Sequence, residues 1–168
     1  DIIKPKESFV LNRIGKARIY SPNSEFVELR LGTNYVLDRA KLDQSIIKEA
    51  ELSDTEIHTG HKFVGLQDGK LTFSHEGKTI QSEADIVVGA DGPLSPVAKS
   101  AGIFGQRKFF TGAQARVNYH SDNVIEFYLW PKAFGWMVPE SRSVARIGIA
   151  AEEPPGQLLT DFLESKLG

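Results

Sequence analysis

Four residues in the middle of the chain, Gly89-Ala90-Asp91-Gly92, hold the pattern with the most chemical content. They close a near-continuous apolar run over residues 84–90 and stand just ahead of a helix-forming stretch near residues 93–101. In open α/β sheets, ligands bind at strand ends of this form. Glycine lets the backbone come close to a nucleotide cofactor, and a carboxylate there can accept a hydrogen bond from a sugar hydroxyl. The same residues also suit an ordinary strand-to-helix turn with a capping aspartate. The local pattern leaves both readings open.

The elements that would position this turn can be read on either side of it. Residues 1–33 read as β-structure, with alternation from Phe9 to Tyr20, a turn at Ser21-Pro22-Asn23-Ser24, and a half-buried strand from Glu25 to Leu31 closed by Gly32-Thr33. Asn34 to Leu37 is a short extended run. Asp38 then caps a helix whose face is Leu42, Ile46, Ile47 and Ala50. Short strands are expected at Thr55–His58, Lys62–Leu66, Leu71–Ser74 and Lys78–Gln81. The turns at Asp68-Gly69 and Glu76-Gly77 mark hairpins. The run at 84–90 predicts a strand buried on both faces, as in a parallel sheet. Four antiparallel strands follow at Ala113–Tyr119, Val124–Trp130, Phe134–Val138 and Val144–Ala150. Pro154-Pro155 opens a last helix with Leu158, Leu159, Phe162, Leu163 and Leu167 on one face.

Composition sets limits on the function. The 168 residues are 40% hydrophobic and 25% charged, with a net charge of −2, which gives no reason to expect nucleic-acid binding. The chain has no cysteine. That removes disulfides, thiolate metal sites and cysteine nucleophiles, and fits a reducing cytoplasm. No apolar run approaches the roughly 18 residues of a membrane span. His58 and His61 lack a third ligand at suitable spacing, so no metal site is expected. Lys4, Lys6, Arg13, Lys16 and Arg18 make the N-terminal segment basic, which reads as a solvated face. The chain opens on Asp1 and closes just after an amphipathic stretch; both ends read as cuts in a longer protein.

The Asp91 turn has a companion. Tyr35-Val36-Leu37-Asp38-Arg39-Ala40-Lys41-Leu42-Asp43 precedes Ala84-Asp85…Gly89-Ala90-Asp91-Gly92…Ser95…Val97. In this order the two segments resemble the flavin-dependent oxidoreductases of the para-hydroxybenzoate hydroxylase fold, and within them the geranylgeranyl reductase branch. The resemblance implies a combined α+β and α/β architecture, part of an FAD/NAD(P)-binding domain interleaved with a β-rich substrate domain of antiparallel sheet plus helices. Boundaries are expected at 1–33 for the first strands of the substrate domain, 34–106 for the partial FAD-binding domain, and 107–168 for the sheet and helix of the substrate domain. It implies that Arg39 lies near the flavin and that Asp91, with Gly89 and Gly92, holds the ribityl chain of FAD.

A third segment, Phe134-Gly135-Trp136-Met137-Val138-Pro139, resembles the branch's substrate-lining strand. Trp136 and Pro139 match it. Phe134 stands where tyrosine is usual and Val138 where phenylalanine is usual, so no hydroxyl is expected there to donate a proton. Tyr128, Trp130 and Phe134 add aromatic surface, which suits an isoprenoid chain because each buried methylene contributes about 0.8 kcal/mol. The expected substrate site is therefore Trp136, Phe134, Pro139 and Tyr128. No catalytic acid can be named.

The resemblance implies reduction of prenyl double bonds by hydride from reduced FAD, with NAD(P)H or another electron donor. A peripheral membrane contact is expected only because prenyl lipids reside in membranes. A monooxygenase of the same fold is the near alternative, and a non-enzymatic β-rich binding domain the distant one. No Gly-x-Gly-x-x-Gly turn, which would seat the FAD pyrophosphate on a helix N-terminus, occurs in the chain. The isolated chain is therefore expected to bind FAD poorly and to be inactive alone.

Overall fold

The computed structural model describes residues 5–168; Lys4 of the basic N-terminal group lies outside them. The described residues form two compact units, one from residues 5–48 with 108–168, the other from residues 49–107. Both flanks of the sequence thus contribute to one unit, built as a mixed sheet with helices.

In the first unit, β1 (Val10–Tyr20) and β2 (Phe26–Leu37) form a long hairpin. Ser24 takes a positive φ of 66° in its turn. Gly32-Thr33 does not end β2, contrary to the sequence expectation. Ile14 pairs with Asn34 and Lys16 with Arg30, so β2 spends extra residues across this step and the glycine serves an irregularity rather than a stop. Asp38 accepts a hydrogen bond from the Lys41 N–H at 3.2 Å and caps α1 (Arg39–Glu51).

After the second unit come β6 (Thr111–Asn118), β7 (Ile125–Trp130), β8 (Ala133–Pro139), β9 (Val144–Ala151) and α3 (Gly156–Leu167). The sheet order is β2-β1-β7-β8-β9-β6. Its pairs are antiparallel except β1 with β7, which run parallel from Ala17–Ile125 to Tyr20–Tyr128. Strands alternate their side chains between faces. Tyr128, Met137, Ala145 and Ile147 form the core with Phe162 of α3. Of the expected α3 face, Phe162 is buried while Leu158 and Leu167 stay exposed.

The second unit is a meander of β3 (Lys62–Gln67), β4 (Lys70–His75) and β5 (Lys78–Glu83), followed by the short α2 (Pro96–Ser100). Asp68-Gly69 and Glu76-Gly77 all take positive φ, between 49° and 78°. That is the two-residue turn that matches strand twist.

Two expected strands do not form. Residues 55–58 adopt no regular secondary structure. Residues 84–90 are not a buried strand: Ile86 is 82% and Val88 81% exposed. Strand formation needs a neighbour to take up the backbone hydrogen bonds, and no described strand runs beside this segment.

Candidate functional site

Cross-strand register decides which residues share a face of the six-stranded sheet. Ile19, Phe127, Trp136, Gly148 and Gln114 form one row across β1, β7, β8, β9 and β6. The next row along the strands holds Leu129, Phe134, Ala150 and Gly112. This face is apolar yet uncovered: Val27, Phe127, Leu129 and Phe134 are all exposed. A depression of about 760 Å³ lies beside it, lined in part by Ile19, Val27 and Leu129.

Trp136 is the centre of this face. Its indole N–H donates to Gln114 Oε1 at 3.3 Å. Its ring occupies the space over Gly148, where a Cβ would stand 2.3 Å from Cζ2. Phe134 lies alongside, ring centroids 5.7 Å apart. Sequence reading overlooked Gln114 and Gly148. The readable signal was a glycine inside an otherwise apolar strand, which marks a close approach.

The opposite face holds Tyr128 and Pro139. Tyr128 stacks on Tyr20 at 4.7 Å and meets Phe162 edge-on at 4.9 Å. Its hydroxyl donates to Glu126 and accepts from Lys166 Nζ. Burial, and after it donation to the Glu126 carboxylate, pushes the Tyr128 phenol far above its ordinary value. Glu126 also faces Lys166 Nζ at 3.4 Å and Arg18 at 3.8 Å. Pro139 is fully buried, and its carbonyl accepts from Asn12 Nδ2 at 2.9 Å. A cleft of about 490 Å³ between α3 and this face is lined by Trp130, Ala133, Ile149, Leu158 and Phe162 among others. The structure therefore brings Trp136 and Phe134 together and separates them from Tyr128 and Pro139.

In the second unit, Asp91 serves the start of α2. Ser95 Oγ donates to its Oδ1, the Val97 N–H donates to its Oδ2 at 3.0 Å, and Ser95 Oγ accepts from the Ala98 N–H at 2.9 Å. The bond from Ser95, then that from Val97, holds the Asp91 carboxyl below its usual range. Each carboxylate oxygen keeps a second acceptor site, and Asp91 is exposed. Gly92 takes φ +84°, and a Cβ on Gly89 would stand 3.0 Å from Val97 Cγ1. In the first unit, Arg39 is exposed on the first turn of α1 and pairs with Asp43 at 3.3 Å.

Among the described residues, no group of three or more His, Asp or Glu side chains could hold a metal. His61 stacks on His75 at 4.2 Å, and His58 lies within 3.3 Å of Glu56.

Known proteins resemble this chain in sequence and in fold. The digeranylgeranylglycerophospholipid reductase 1 of Methanosphaera stadtmanae is 28% identical across 96% of this chain and 45% of its own length. That of Methanococcoides burtonii is 28% identical across 97% and 46%. A geranylgeranyl bacteriochlorophyll reductase-like protein from Thermoplasma acidophilum superimposes with a TM-score of 0.83 over 98% of this chain and 48% of that one, at 25% identity. The chain is similar in sequence to digeranylgeranylglycerophospholipid reductases. It spans about half the length of these curated relatives. The flavin-dependent halogenase CmlS matches with a TM-score of 0.73 over 96% of this chain at 14% identity, a likeness of fold alone. No protein-family model matches. Among the described residues, no helix is long and apolar enough to cross a membrane.

Proposed function

We propose that the chain is part of an FAD-dependent oxidoreductase that reduces double bonds in the prenyl chains of a lipid, with the Trp136 face of the sheet as the wall of the prenyl site. The observation that carries this reading is an uncovered apolar sheet face, centred on Trp136 and Phe134, in a chain similar in sequence to digeranylgeranylglycerophospholipid reductases. A flat aromatic surface with little polar competition suits a chain that offers only methyl and alkene groups.

The residues present fit part of an FAD. Asp91 has open acceptor positions beside the exposed backbone of Gly89 and Gly92, which suits a ribityl hydroxyl. Arg39, in the other unit, is exposed and pairs with Asp43 at 3.3 Å. The described residues supply no glycine-rich turn for the pyrophosphate. Bound reduced FAD would supply the hydride chemistry, with a solvent proton completing the reduced bond and NAD(P)H or another donor as the source of electrons. This chain's share is placement: Trp136, fixed by Gln114 and seated over Gly148, orients the prenyl chain and keeps water from it. Contact with membrane is peripheral in this reading, made where the prenyl lipid leaves the bilayer.

Anaerobic incubation of the flavin-loaded full-length protein that contains this chain with a geranylgeranyl glycerophospholipid and a reductant tests the proposal. Mass spectrometry is expected to show gains of two hydrogens per reduced bond. Oxygen-dependent consumption of NAD(P)H with hydroxylated product would assign the protein to the monooxygenases instead.

A further inference from the structure

One row along the strands from Trp136, the same face changes chemistry. Val138, Arg146 and Arg116 stand side by side there. Two residues separate this row from that of Trp136, about 7 Å along the strand. Both arginines are held by one carboxylate: Arg116 Nε and Arg146 Nε donate to the two oxygens of Glu140, which is buried at the end of β8. Arg146 also donates to the Leu37 carbonyl at 3.3 Å. Each guanidinium is fixed through its Nε edge, and two positive groups share one negative one, so the cluster keeps a net charge of +1.

The Arg116 side chain is 67% exposed, so beyond pairing with the buried Glu140 its remaining guanidinium N–H groups face solvent. The arrangement spreads these N–H groups at the polar end of an apolar track. That is the order of groups in an amphiphile: an anionic end, then hydrocarbon. A tetrahedral phosphate oxyanion can accept from two separately mounted guanidinium forks at once.

We propose that Arg116 and Arg146, set by Glu140, anchor the phosphate of a phosphorylated prenyl lipid whose chain runs along Trp136 and Phe134. This rests on the prenyl-lipid reading of the same face and assigns its polar end. Glu140 is a positioning residue, and the two arginines touch the ligand.

Titration calorimetry of the protein with geranylgeranyl phosphate, geranylgeraniol and inorganic phosphate tests the assignment. The prenyl phosphate is expected to bind about tenfold tighter than the alcohol, in proportion to one charge-assisted bidentate contact, and to lose that margin at high salt. In R116Q, checked for folding by circular dichroism, the margin is expected to fall severalfold while affinity for the alcohol holds. R116K is expected to restore part of it. Equal binding of alcohol and phosphate, or an equal loss of both in R116Q, would overturn the headgroup assignment and leave the prenyl reading standing. Binding of inorganic phosphate as tight as that of the prenyl phosphate would overturn it too, by showing an anion site unconnected to the chain. Binding of neither prenyl compound would remove the prenyl reading and the headgroup with it.

Discussion

Trp136 and Gly148 are cross-strand partners in which the missing side chain of one makes the seat of the other. An added Cβ at Gly148 would stand 2.3 Å from the indole Cζ2 and 2.7 Å from Gln114 Cβ. Neither neighbour can move freely, since the two are joined by the Trp136 to Gln114 hydrogen bond.

Gly148→Ala is therefore expected to cost about 1–3 kcal/mol by overpacking and to lift the indole off the sheet. Urea unfolding reads the first effect and a red shift of tryptophan emission the second. Placed in a Trp136→Ala background, the same change is expected to cost less, because contacting residues couple. Additive costs would show that the indole is not what the new methyl meets.

Glu126 is the buried counter-charge of its face, within reach of Lys166, Arg18 and two tyrosine hydroxyls. Glu126→Ala leaves these donors without their acceptor, and a loss on the order of 3 kcal/mol is expected. Chemical denaturation measures it. The double variant Glu126→Ala/Lys166→Ala should lose less than the two single costs added together.

Glu140 gives a pH prediction. Burial opposes its charge, but donation from Arg116 and Arg146 outweighs that and holds its pKa below the ordinary 4.5. A carboxylate depressed in the folded state stabilises the fold above its unfolded pKa and loses that contribution as pH falls through the folded value. The stability difference between the wild type and Glu140→Gln should thus be full at neutral pH and shrink below about pH 4.5. Denaturant titrations at a series of acid pH values check it. A difference that grows on acidification would contradict the assignment.

Asp91 and Ser95 can be told apart by two readouts. Ser95→Ala removes the cap on the Ala98 N–H, a change worth about 1 kcal/mol, and should speed amide exchange in α2. In the full-length protein that contains this chain, Asp91→Ala is expected to lower the flavin content more than Ser95→Ala does, measured as the ratio of flavin to protein absorbance. Equal flavin contents would leave Asp91 with the capping role alone.

What could be read in the sequence was whatever local chemistry decides. Asp68-Gly69 and Glu76-Gly77 fixed two hairpins because both positions need positive φ. Alternation in β6–β9 was visible because one face of each strand packs on the core. The segment 84–90 misled because apolar content reports what a strand would bury, not whether a partner lies beside it; Ile86 and Val88 face solvent. The division between Trp136 with Phe134 and Tyr128 with Pro139 follows from strand parity, which could have been counted from residue numbers. The seat at Gly148 and the hold of Glu140 on two arginines could not, because both depend on the register between β6, β8 and β9.

The parallel pairing of β1 with β7 also has a consequence for biosynthesis. Asn12 donates to Asn123 across 111 residues of chain, and β1 gains its second neighbour only when β7 exists. The β3-β4-β5 meander needs only adjacent hairpins and can close at once. On the ribosome, at about 5–20 residues per second, β1 waits on the order of ten seconds with one edge unpaired. During that interval its open backbone can recruit a strand from another nascent copy. Slow codons between β2 and β7 would lengthen that exposure, so aggregation during synthesis should depend on translation speed even where the finished protein is stable.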